Sequence, residues 1–206
     1  VELLLATGNT HKAQELRDML SELPVTVFTP DEVGGLPEVI EDGTTFGENA
    51  AKKASSAALH TGRWSLADDS GLCVDALGGA PGIHSARYGG THGDDQGNNH
   101  KLLKELAQVP DDKRNAAFVC ALALARPNGE IETVLEGRTE GRILNQPEGE
   151  GGFGYDPLFQ FTEPNLVQTN RCFASLTSTE KSAVSHRGRA LRALGHELFA
   201  ILERSP

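Results

Sequence analysis

An apolar run, Leu66-Ala67, ends in two adjacent carboxylates, Asp68 and Asp69, followed at once by Ser70-Gly71-Leu72. Few backbone arrangements accommodate that pair. Successive side chains of a regular strand point to opposite faces, so the aspartates share one site only where the strand breaks, and Ser70-Gly71 is turn chemistry that supplies a break. Two readings are open at this point. Carboxylates crowded at a strand end raise one another's pKa unless a cation offsets the repulsion, which a hard divalent ion with oxygen ligands does well. Equally, Asp-Ser-Gly is an ordinary polar turn capping the next element.

A chain of 206 residues fits one large domain or two intimately packed lobes, and buries roughly 70% or more of its unfolded surface. Cys73, Cys120 and Cys172 are an odd number with no close pair. That disfavours a disulfide framework and a zinc site and points to buried thiols in a reducing compartment. The longest apolar run, Ala116 to Ala125, is far short of a bilayer span, and Val1-Glu2-Leu3 lacks the basic start of a signal peptide. The expectation is a cytoplasmic protein with no membrane partner. Nineteen basic against twenty-nine acidic residues give a net charge of −10, a poor match for nucleic acid. A small phosphate ligand stays open, because helix N-termini, a few cations and a metal create local positive sites.

Glu2 to Ala6 has strand length, Gly8-Asn9-Thr10 turns, and Leu16, Met19, Leu20 and Leu23 recur at helical spacing. A strand, tight turn and helix of this kind present backbone N–H groups where an anion is favoured. Lys12 sits in that first turn, against the helix dipole, which hints at an anionic ligand; an exposed solubilising lysine is the other reading. The Walker spacing is absent. Val25 to Thr29 reads as a second strand. A Gly- and Pro-rich loop then ends at Glu41 and Asp42, and Thr45-Phe46-Gly47-Glu48 has capping-box spacing before a helix. Asn49 and Lys53, four apart, can address one ligand, while Glu48 and Lys52 read as a surface ion pair.

Leu72 to Leu77 is expected to be a further strand, and Asp94 to Gln108 a surface helix. Ala116 to Ala125 and Glu130 to Gly137, joined through Pro127-Asn128-Gly129, read as a β-hairpin. Gly149 to Gly154 matches a Gly-x-Gly-x-x-Gly pattern, but a strand-like Leu158-Phe159-Gln160-Phe161 follows instead of a helix, which excludes a dinucleotide fingerprint. A glycine-rich loop presenting Phe153 and Tyr155 suits either a flat ring stacked on a base or an aromatic plug in the core. Thr177-Ser178-Thr179-Glu180 is a second capping box, predicting one long C-terminal helix with Val184, Leu191, Leu194, Leu198 and Ile201 on one face. Lys181, Ser185, His186 and Arg187 cluster near its start, either around an acceptor or on a solvated face.

Taken in order, six motifs resemble the inosine triphosphate pyrophosphatase family, which hydrolyses non-canonical purine nucleoside triphosphates. They are Thr7-Gly8-Asn9-x-x-Lys12, Thr45-Phe46-x-Glu48-Asn49-Ala50, Ala67-Asp68-Asp69-Ser70-Gly71-Leu72, Gly78-Gly79-x-Pro81-Gly82-x-x-Ser85-Ala86-Arg87-Tyr88, Gly152-Phe153-Gly154-Tyr155-Asp156-Pro157 and Ser185-His186-Arg187. The resemblance implies a single domain over residues 1–206 with an elongated mixed central β-sheet flanked by helices, in two lobes with the active-site cleft between them. It also implies a homodimer, Mg²⁺, and hydrolysis of ITP, dITP or XTP to monophosphate and pyrophosphate.

Carried over by position, Asp69 is the general base or water-orienting carboxylate, with Glu41 and Asp69 as metal ligands. Thr7, Gly8, Asn9, Thr10, His11, Lys12 and Lys53 hold the triphosphate, with Ser70 adjacent. Phe153 stacks on the base, Gly154, Tyr155 and Asp156 complete its loop, and Lys181, His186 and Arg187 read the purine edge. His84, Gly47 and Thr179 depart from the family's usual residues and bear on substrate preference. A relaxed pyrophosphatase acting on canonical triphosphates and a non-catalytic nucleotide sensor are the competing functions.

Overall fold

The apolar run near the start of the chain forms β1 (Glu2–Leu5), and the leucine stripe after it forms α1 (Thr10–Leu20), which buries Leu16 and Leu20. β2 (Thr26–Phe28) lies parallel to β1, with Leu3 opposite Val27. The structure, a computed structural model, describes residues 2–21 and 23–203. There follow α2 (Phe46–Thr61), β3 (Trp64–Val74), α3 (Asp95–Glu105), β4 (Asn115–Ala125), β5 (Ile131–Ile143), β6 (Phe159–Phe161), α4 (Ser178–Val184) and α5 (His186–Glu203). The strands form one mixed sheet in the order β2-β1-β3-β4-β5-β6, the α/β class expected. β1 runs parallel to both neighbours, and β6 antiparallel to β5. No described helix is long and apolar enough to cross a membrane.

Two compact units divide the chain: Val1–Asp69, Cys120–Gly137 and Arg187–Pro206 in the first, Ser70–Val119 and Arg138–His186 in the second. The first has a leucine core, in which Leu3 and Leu5 of β1, Leu16 and Leu20 of α1, Trp64 and Leu66 of β3, Leu122 and Leu124 of β4 and Leu191, Leu194 and Leu198 of α5 pack together. The second has an aromatic core. Phe118, Phe159 and Phe173 stand with ring centroids 4.5 to 5.8 Å apart, joined by Leu72, Val74, Leu102, Tyr155 and Val184. Aromatic pairs at such distances add about 0.5–1.5 kcal/mol each beyond their buried area.

The expected break at Ser70-Gly71 is absent: β3 is continuous from Trp64 to Val74. Gly71 instead permits a close approach. A Cβ there would stand 2.5 Å from the Gly82 carbonyl oxygen and nearer still to Ser85 Oγ, which accepts from Leu72 N–H at 2.9 Å and donates to Gly82 O. The hairpin forms, closed by Arg126 N–H to Glu130 O at 2.8 Å, but β5 runs six residues past Gly137. Gly141 belongs within it because Phe159 lies over that position.

The single C-terminal helix is also corrected. Its capping box at Thr177 and Glu180 is present, but the backbone turns extended at Ser185 (φ −70°, ψ 153°), and Thr139 Oγ1 donates to the Val184 carbonyl at 2.7 Å. An outside donor thus satisfies a carbonyl at the helix end. Val184 joins the aromatic core and Leu191, Leu194 and Leu198 the leucine core.

Candidate active site

In the first unit, Asn9 caps α1: its Oδ1 accepts from Lys12 N–H at 3.1 Å, while its own N–H donates to Thr7 Oγ1 at 3.2 Å. The expected turn and helix start are therefore in place. Gly8, Asn9, Thr10 and His11 are exposed, Thr7 and Lys12 half-buried. A cavity of about 230 Å³ opens beside them, lined by Thr7, Gly8, Thr10, Gln14, Arg17 and Asp31 among others. Lys12 Nζ lies 2.5 Å from Asp68 Oδ1, a carboxylate of the protein that offsets the dipole at this helix start.

Because β3 is unbroken, Asp68 and Asp69 face opposite ways. Asp68 shares the parity of Trp64 and Leu66 and is sealed in with Arg187, whose Nε stands 3.0 Å from its Oδ2, and with Cys120, whose Sγ donates to the same oxygen at 2.9 Å. Burial alone would push the Asp68 carboxyl up, but Arg187 and then Lys12 override it and hold the group well below the usual carboxylate range. The same burial, with Asp68 beside it, pushes the Cys120 thiol far up, so this cysteine is inert rather than nucleophilic. Arg187 also reaches Glu15 through Nη1.

Asp69, on the other face, meets α2. Lys53 Nζ bridges Glu41 Oε2 at 3.2 Å and Asp69 Oδ1 at 3.5 Å. Asn49 bonds to the Asp69 carboxylate and accepts from Gly43 N–H at 2.8 Å. Asn49 and Lys53 thus share a face, as their four-residue spacing implies, and both meet the Asp69 carboxylate. Glu48 and Lys52 do not form the expected pair. Glu48 caps Thr44, and Lys52 binds Asp42. Burial raises the Asp69 pKa; Lys53 and Lys12 pull it down and Glu41 pushes it up. A buried carboxylate with a raised pKa beside a second carboxylate and a lysine is suited to accepting a proton or sharing a divalent ion. Ser70 follows, half-buried, at the start of the second unit.

The glycine-rich loop lies in the second unit. Gly152 and Gly154 have φ of +74° and +62°, and a Cβ on Gly152 would overlap the Asp156 carboxylate. Asp156 Oδ2 accepts from Phe153 N–H at 2.9 Å and from Lys181 Nζ at 2.7 Å, and Lys181 Nζ stands 4.6 Å from the Phe153 ring centroid. The two aromatics differ in burial. Tyr155 is a core plug, buried, with its hydroxyl donating to Ser85 O at 2.8 Å. Phe153 is half-buried. Of the three expected base readers, Lys181 lies over the Phe153 ring. His186 stacks on Phe118 at 4.8 Å, and Arg187 is held in the first unit by Asp68 and Glu15.

Two residues that sequence reasoning passed over also touch this loop: Asp95 accepts from Gly154 N–H at 2.7 Å, and Asn99 Nδ2 donates to Gly154 O at 2.9 Å. Their spacing of four on α3 was the signal available.

The Ham1 family model matches residues 3–197. The chain belongs to the Ham1 family. Among its relatives, a protein of Rhodopirellula baltica is 48% identical over 98% of this chain and 95% of its own length, and one of Desulforamulus reducens is 52% identical over 93% and 92%; both are named dITP/XTP pyrophosphatase. Among solved structures, a HAM1 protein from Coxiella burnetii superposes with a TM-score of 0.84 at 38% identity, covering 97% of this chain and 99% of its own. A nucleoside-triphosphatase, dITP/XTP pyrophosphatase, from Mycobacterium abscessus gives 0.74 at 47% identity, covering 94% and 98%. Ham1 membership accords with the six motifs that first pointed to this group of pyrophosphatases.

Proposed function

We propose that this chain is a nucleoside triphosphate pyrophosphatase that hydrolyses ITP, dITP, XTP and dXTP to the monophosphate and pyrophosphate, removing deaminated purines from the nucleotide pool. The observation that carries the reading is the Glu41–Lys53–Asp69 cluster, in which one ammonium lies between two carboxylates.

That donor set fits Mg²⁺, which binds through one or two carboxylates and takes its remaining ligands from water and substrate phosphates. Among the described residues no group of three or more His, Cys, Asp or Glu is placed to hold an ion unaided, so such an ion would be completed by the substrate. Glu41 and Asp69 would hold it, and when bound it neutralises charge developing on the phosphates. The protein's own part is orientation. Asp69 accepts a proton from, or aligns, the attacking water; Lys53 and Lys12 and the N–H groups of Gly8 to His11 grip the triphosphate. Ser70 follows Asp69 directly in the chain.

Phe153 stacks on the base, its loop held by Gly154, Tyr155 and Asp156. Lys181, His186 and Arg187 donate to the 6-oxo group that hypoxanthine and xanthine carry where adenine carries an amino donor. Adenine would leave donors facing donors, at about 1–3 kcal/mol for each buried group left unpaired. The protein acts as a homodimer in the cytoplasm, where Cys73, Cys120 and Cys172 would stay reduced.

Product analysis tests the reading. Metal-dependent release of pyrophosphate from dITP, with dGTP and dTTP much slower, is the expected result. Release of orthophosphate, or intact dITP after long incubation with Mg²⁺, would overturn it.

A further inference from the structure

One helix clamps both backbone polar groups of a single residue in the glycine-rich loop. Asp95 and Asn99 stand one turn apart on α3, so they share a face. Asp95 Oδ2 takes the Gly154 N–H at 2.7 Å, and Asn99 Nδ2 gives to the Gly154 carbonyl at 2.9 Å. Gly154 is the residue between Phe153 and Tyr155, and its φ of +62° is left-handed. A glycine adopts that conformation freely and leaves it as freely, so the loop's shape there depends on what the backbone is bonded to.

The amide of Asn99 is orientated by this contact. Turning it over would set its oxygen against the Gly154 oxygen, and in the orientation it keeps, its Oδ1 is buried with no hydrogen-bond partner. A buried acceptor left unfilled is destabilising. An apolar side chain of similar size would avoid the penalty and would also release the Gly154 carbonyl, so the service of Asn99 lies in its Nδ2.

On the other flank of Gly154 the loop is tied to α4 through Asp156, which joins Phe153 N–H to Lys181. Behind it, Tyr155 is pinned to Ser85. Alongside those two attachments, the bonds to Gly154 fix the backbone immediately after the Phe153 ring.

We propose that Asp95 and Asn99 are positioning residues for nucleobase recognition: by fixing the backbone on both sides of Gly154 they hold the Phe153 ring in register with a planar purine. This rests on the proposed pyrophosphatase reading, in which Phe153 meets the base. Neither residue is among those proposed to grip the phosphates or align the water, so their effect falls on binding of the base and not on the chemical step.

The test uses the full chain with Asp95→Ala, Asp95→Asn and Asn99→Leu. Asp95→Ala and Asn99→Leu are expected to raise the KM for dITP about tenfold, the loss of one hydrogen bond with a charged or well-aligned partner, while kcat changes less than about twofold. Asp95→Asn keeps an acceptor oxygen and restores most of the KM. Inorganic tripolyphosphate, which has no base, is expected to inhibit all four proteins equally.

An unchanged KM in folded Asp95→Ala and Asn99→Leu overturns the proposal. So does an equal loss of tripolyphosphate inhibition, or failure of both variants to fold, since either makes the pair general scaffolding. Hydrogen exchange at the Gly154 amide, faster in Asp95→Ala than in wild type, reads the clamp without any turnover. Faster exchange in a wild-type protein background inert towards dITP would therefore sink the pyrophosphatase reading and leave the clamp standing, whereas unchanged exchange sinks the clamp.

Discussion

Arg187 and Asp68, 119 positions apart in sequence, meet with Nε 3.0 Å from Oδ2, each only 1% exposed. Removing one partner of such a pair leaves an uncompensated buried charge. Asp68→Asn is accordingly expected to lower stability by about 3–5 kcal/mol, measured by urea denaturation. The double variant Asp68→Leu, Arg187→Met removes both charges and should lose distinctly less; an equal or greater loss would show that packing, not the ion pair, is what matters there.

Asp69 is a different case on the neighbouring position. Its ionised form is disfavoured by burial, so Asp69→Asn removes a group the fold does not gain from ionising. Turnover of dITP should fall at least about 100-fold, the scale of a lost general base, with the melting temperature unchanged or slightly higher. Wild-type turnover in the variant would exclude Asp69 from the chemistry.

Gly71→Ala places a methyl group against Gly82 O and Ser85 Oγ. Overpacking of this kind costs about 1–3 kcal/mol, read as a shift of the urea midpoint at unchanged slope. Ala at this position with no shift would mean that the Ser85 segment yields readily.

Glu180 supplies the pH dependence. Its hydrogen bonds from Arg171 first and from Thr177 next lower its pKa from 4.5 to about 2. A carboxyl depressed on folding contributes stability above its unfolded pKa and loses it as the pH falls through the folded value. Wild type should therefore melt higher than Glu180→Gln at pH 7, the difference closing as the pH falls from about 5 towards 2. A gap independent of pH would assign the effect to the cap's shape alone.

Where a residue's role depends on near neighbours, it was legible in the chain. The turn at Gly8-Asn9-Thr10, the Thr177–Glu180 box, the Pro127-Asn128-Gly129 hairpin and the shared face of Asn49 and Lys53 all follow from spacings of two to four residues. Misreadings arose where a distant group decided. Gly71 looked like a break because nothing local shows Ser85 pressing on it, and the C-terminal helix looked unbroken because nothing local shows Thr139 meeting the Val184 carbonyl. One misreading was local: Glu48 took the Thr44 cap over Lys52 because a backbone N–H and a hydroxyl were both within reach.

By itself the sequence determined the mixed α/β class, the family and the carboxylate pair, because strand and helix periods, caps and turns are set by local sterics and hydrogen bonding. Only the tertiary structure decided that Asp68 and Asp69 serve opposite faces. Their surroundings do this: Arg187, Lys12 and Cys120 close around one, and Lys53, Glu41 and Asn49 around the other. The sign of a carboxyl's pKa shift is set by the charges and burial that folding brings to it, and no spacing along the chain encodes them.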